Sequence, residues 1–112
     1  MRFALMIYTE PGYDEGLSEA ERDAVVAEYA VLFGDGQCVA AARLQPVETA
    51  TCVRVQGGRT LMTDGPFADT KEVLGGFCLL EAANLDEAVE LAARFPAVRL
   101  GGTVEVRPVV QG

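Results

Sequence analysis

Residues 2–9 carry apolar side chains on both alternating faces: Phe3, Leu5 and Ile7 on one, Ala4, Met6 and Tyr8 on the other. That pattern predicts a central strand covered on both sides. Residues 10–16, with Pro11, Gly12 and Gly16, read as a polar loop. Ser18-Glu19-Ala20-Glu21 is a capping-box pattern opening a helix. Its apolar stripe is Ala24, Val25, Ala27, Tyr29, Leu32 and Phe33, and Gly34-Asp35-Gly36 ends it.

Residues 38–44 predict a second strand, broken by Gln45-Pro46. Residues 51–56 and 59–63 flank Gly57-Gly58, a two-residue hairpin signal that needs no phosphate-binding role. Residues 73–82 again alternate apolar side chains on both faces. Asn84 caps a second helix, with Glu87 placed to reach back. Leu85, Ala88, Val89, Leu91, Ala92 and Phe95 form its expected buried stripe, and Pro96 its stop. Gly101-Gly102 precede a last strand over 103–110.

The order β-α-β-(hairpin)-β-α-β predicts one α+β domain over residues 1–112, a ferredoxin-like split βαβ with an extra hairpin. Both helices of that plan cover one face of the sheet. The far face is apolar too, and the chain holds no third layer. A second copy is the simplest cover, giving a homodimer in the form of a dimeric α/β barrel.

Composition narrows the function classes. A net charge of −8 and nine scattered Lys and Arg residues argue against nucleic acid. No apolar stretch approaches the ~20 residues of a membrane span, and the first residues lack an export pattern, so a cytoplasmic location is expected. Cys38, Cys52 and Cys78 are odd in number and lack CxxC spacing, and are read as small buried hydrophobes. Histidine is absent, which excludes Ser-His-Asp and Cys-His mechanisms and leaves acid–base work to a carboxylate, Lys or Tyr. Glu19, Glu21 and Asp23 suit the helix dipole better than a metal ion. No metal and no cofactor are expected; Gly75-Gly76 lacks dinucleotide spacing and suits a close backbone or ligand approach.

Asp64-Gly65-Pro66-Phe67-Ala68, Thr70-Lys71-Glu72-Val73-Leu74-Gly75-Gly76-Phe77 and Val104-Glu105-Val106-Arg107-Pro108 together resemble the YCII-related proteins, in particular their DGPF branch. The resemblance implies a ferredoxin-like subunit in a dimeric α+β barrel, with charged residues in a pocket. It leaves the reaction open. Members of that branch are often encoded beside extracytoplasmic-function sigma factors, which brings such a factor in as a partner. Many relatives carry His or Tyr near the position of Leu100, and Leu100 cannot transfer a proton.

Asp64 is the catalytic candidate. A carboxylate at a pocket mouth can serve as general acid or base, and the same side chain can form an Asx-type turn. Tyr8, Phe67, Lys71 and Arg107 are the substrate-binding candidates: a hydroxyl at the end of the first strand, an aromatic platform or core plug, a clamp for an anionic group, and a strand arginine. Three readings remain open: a metal-free acid–base enzyme on a small polar or anionic metabolite, a binding or regulatory module, and a structural dimer.

Overall fold

A computed structural model describes residues 1–111. Six strands run over β1 (Arg2–Thr9), β2 (Cys38–Arg43), β3 (Thr51–Gln56), β4 (Arg59–Asp64), β5 (Val73–Glu81) and β6 (Thr103–Pro108). Helices are α1 (Glu19–Phe33), α2 (Leu85–Ala92) and α3 (Pro96–Arg99), with one 3₁₀ turn at Val47–Thr49. The main sheet has the order β2-β5-β1-β6, while β3 and β4 form a separate two-stranded ribbon. With the ribbon set aside, this is the antiparallel ferredoxin-like arrangement expected from the element order.

Parity along the strands decides what is buried. Phe3, Leu5 and Ile7 of β1 and Cys78 and Leu80 of β5 face the helices and pack with Val25, Tyr29 and Leu32 of α1 and Ala88, Leu91 and Ala92 of α2. Phe3, Leu5 and Leu80 are fully buried, each stabilising by roughly 1.5–3 kcal/mol. Tyr29, Phe33 and Phe95 form an aromatic cluster at one side of this core, with ring centroids 5.5–6.1 Å apart. The opposite face, with Ala4, Met6, Tyr8, Phe77 and Leu79, is only half-buried.

Local signals set the ends of the elements. Ser18 Oγ accepts from Glu21 N at 3.1 Å and Glu21 Oε1 accepts from Ser18 N at 3.1 Å, closing the capping box of α1. Asn84 Oδ1 accepts from Glu87 N at 2.9 Å. Gly57 and Gly58 have φ of +58° and +76°, the two left-handed residues that a twisted two-residue hairpin demands. A Cβ on Gly76 would lie 2.9 Å from Ala42 O, so the Gly-Gly of β5 admits the backbone of β2.

The end of the second helix differs from expectation. Pro96 does not stop a helix; it opens α3. Proline lacks only an N–H that the first turn leaves unpaired anyway, and its φ suits that position. Leu85 and Val89 point outward, about half exposed; the core side of α2 is carried by Ala88, Leu91 and Ala92.

The ribbon β3–β4 stands away from the body. All of β4, and β3 except Cys52, is exposed, including Val53, Val55, Leu61 and Met62. The Cα radius of gyration is 15.8 Å, against about 13 Å for a compact chain of this length.

Candidate functional site

The end of the sheet where β1 finishes and β5 begins brings together Tyr8 and Lys71, but not the other expected residues. On the open face, Tyr8, Glu10, Thr70, Lys71, Glu72, Gly101, Thr103 and Glu105 surround an open depression of about 700 Å³. β1 delivers Tyr8, the loop before β5 delivers Lys71 and Glu72, and β6 delivers Thr103 and Glu105. Lys71 Nζ lies 3.2 Å from Glu10 Oε1. Thr70 Oγ1 donates to Glu72 O at 2.6 Å, and Thr103 Oγ1 donates to Glu72 Oε2 at 3.4 Å. A phenol, an ammonium, three carboxylates and two hydroxyls therefore share one surface. That inventory suits hydrogen bonding to a small polar molecule.

Arg107 stands beside this depression rather than in it. It donates to Glu105 on its own strand and aligns across the sheet with Ala4. Its guanidinium holds one of the lining carboxylates in place.

Asp64 and Phe67 lie elsewhere. Asp64 is the last residue of β4, exposed and paired across the ribbon with Thr51. The turn after it is fixed by backbone: Gly65 N donates to Ala50 O at 2.7 Å, and Cys52 Sγ donates to Gly65 O at 3.2 Å. Phe67 is 75% exposed, with the Arg54 guanidinium 4.8 Å from its ring centre. Neither residue lines the cavities described here.

A second, more enclosed cavity of about 340 Å³ lies on the helix side of the same sheet end. Its walls include Ile7, Tyr13, Tyr29, Arg43, Leu44 and Val73, and Glu10 borders both cavities. The Arg43 guanidinium sits 5.3 Å from the Tyr29 ring centre. Burial pushes the Tyr29 phenol up from its ordinary range, against the opposing effect of the Ala97 N–H that donates to it. Neither Arg43 nor Tyr13 stands out in the sequence, because the cavity depends on how the 10–14 loop folds over the strand ends. The register settles the direction of Arg43: it stands opposite Gly76 and so faces the helix layer, and the bulge at Val39 hides that parity from the sequence.

Among the described residues, no three His, Cys, Asp or Glu side chains are grouped as a metal site would require.

The model of the YCII-related domain matches residues 1–111. The chain belongs to the YCII-related family. An uncharacterised protein of Rhizobium meliloti is 33% identical over 114 aligned positions, which span 97% of this chain and 92% of that one. The YCII-related domain thus takes in the sheet, the projecting ribbon and both cavities. Membership brings no activity with it, since the relative is itself uncharacterised.

Proposed function

We propose that this YCII-related protein is a homodimer that binds a small polar or anionic metabolite in the depression around Tyr8, Lys71, Glu72 and Glu105. The observation that carries the reading is this clustering of polar groups at one end of an otherwise apolar, uncovered sheet face. A second copy laid on that face would exclude water from the depression and strengthen every charged contact within it. Surface area supports the second copy. The chain exposes 7517 Å², about 1,500 Å² more than a compact monomer of its mass. That excess is in the range an obligate dimer buries per subunit.

Within this reading Tyr8 donates to the ligand, Lys71 attracts an anionic group, and the carboxylates of Glu10, Glu72 and Glu105 are the proton acceptors around them. Asp64 enters as an acid–base group only where the second copy brings a pocket to it. The test is a thermal shift screen against small carboxylates and other polar metabolites, run on wild type, Tyr8→Phe and Lys71→Ala. A ligand at a hundredfold its Kd stabilises by about 2.7 kcal/mol. Stabilisation of wild type that both variants lose supports the site. Equal stabilisation of all three proteins rejects it.

A second reading, a non-catalytic module docking a protein such as a sigma factor, is favoured by the outer face of α1. Ala24, Ala27 and Val31 line a shallow groove there, with Val31 72% exposed. Binding of a sigma factor that Val31→Glu abolishes, in a protein insensitive to Tyr8→Phe, would favour this reading over the first.

A further inference from the structure

Cys38 and Cys78 are far apart in sequence but meet across neighbouring strands. Cys38 begins β2, opposite Leu80 of β5, and Cys78 lies two residues along β5 on the same helix-covered face. Their sulfurs are 2.9 Å apart, and both cysteines are free thiols. Cys38 Sγ also points at Ala40 O, 3.6 Å away. Strand pairing therefore aims two thiols at each other, with no side chain between them.

The two thiols differ in access. Cys78 is 1% exposed, whereas Cys38 is half-buried at the sheet edge. The register of β2 against β5 slips between Cys38 and Ala40, leaving Val39 as an extra, bulged residue. A bulge interrupts the ladder beside Cys38. The backbone there has slack to move by the fraction of an ångström that bond formation asks for.

We propose that Cys38 and Cys78 form an oxidisable dithiol, converted by a hydroperoxide into an intrachain disulfide that ties the edge strand β2 to β5. Cys38, the accessible sulfur, attacks the peroxide as its thiolate. The peroxide O–O bond breaks, Cys38 becomes a sulfenic acid and the other oxygen leaves as water or alcohol. The Cys78 sulfur then attacks the Cys38 sulfur. The S–S bond forms as the S–OH bond breaks, and the Cys78 proton leaves with the hydroxide as water. Two thiols lose two electrons and the peroxide gains them.

This order follows from access and agrees with the weak acidity of Cys78. Burial first, and the contact with Cys38 second, push the Cys78 thiol up to about 12, so Cys78 is protonated and unreactive until an adjacent electrophilic sulfur is made. Cys52, which donates to Gly65 O on the ribbon, takes no part. The inference rests on strand register and stands apart from the proposed metabolite site.

Full-length protein treated with one equivalent of hydrogen peroxide, alkylated after unfolding and digested provides the test. The expected product is a Cys38–Cys78 linked peptide, with whole-protein mass lower by two hydrogens and Cys52 still alkylated. A disulfide closing so long a loop should also raise Tm by on the order of 10 °C, a rise that dithiothreitol reverses. Cys38→Ser, a change at the half-exposed partner, should leave both remaining thiols alkylated and Tm unmoved by peroxide. Wild type with all three thiols intact, Cys38 recovered as sulfinic acid, or a bridge through Cys52 would each overturn the proposal.

Discussion

Tyr29 shows how one side chain serves two purposes. Its ring packs with Phe33 and Phe95, and its hydroxyl accepts from Ala97 N at 3.1 Å, joining α1 to the first turn of α3. Tyr29→Phe keeps the ring and strands a buried N–H. The expected loss is about 1–3 kcal/mol of unfolding free energy, read from urea titrations with an unchanged m-value. The helical period placed Tyr29 in the core. It gave no hint of the hydroxyl's partner, 68 residues away. The same holds for Cys38 and Cys78, read singly as small buried hydrophobes. Each is at least half-buried, but their contact exists only because β2 and β5 are neighbours.

Among the elements, those announced by local chemistry were legible. The ribbon β3–β4 follows from Gly57-Gly58, and the starts of α1 and α2 from Ser18 and Asn84. The short helix α3 was not, because proline signals a helix start as readily as a stop and only the following turn distinguishes them. The site was legible in pieces: Tyr8 and Lys71 reach one depression, while Asp64 and Phe67 sit on the ribbon's exposed base. Residues 65–72 form an irregular loop with no fixed periodicity, so their direction comes from tertiary placement alone.

One inter-element link makes a pH prediction. Arg99 of α3 forms a two-pronged ion pair with Glu28 of α1. The hydrogen bonds from Arg99 hold the Glu28 carboxyl below its ordinary 4.5. A carboxylate whose folded pKa is depressed stabilises above its unfolded pKa and loses that contribution as pH falls through the folded value. Thermal melts of wild type and Arg99→Met should therefore differ at neutral pH and converge as pH falls below the usual carboxylate range. The pair is exposed, so the gap is small and shrinks further in high salt.

At the scale of the whole molecule, the four-stranded sheet with helices on one side matches the reading of the alternating patterns. The uncovered side is the quantity to test. Phe77 is the largest apolar side chain at its centre and is 36% exposed in the single chain. Sedimentation equilibrium at micromolar concentration should give twice the 11.9 kDa chain mass, and Phe77→Glu should return it to the single-chain mass with its far-ultraviolet circular dichroism intact. A wild-type monomer would rule out the dimer.

Strand order also dictates when this chain can fold. β1 is one of the most apolar strands, yet both its neighbours lie far downstream in sequence: Phe3 pairs with Leu80 on one side and with Pro108 on the other. Until those residues emerge, β1 has no strand to lie against, and closing loops of that length slows folding. The nascent chain must keep a sticky strand soluble until β5 and β6 have been made, a period in which aggregation competes with folding. The acidic loop and helix start that follow, with Glu10, Asp14, Glu15, Glu19 and Glu21, supply the nearest like charge to hold such strands apart.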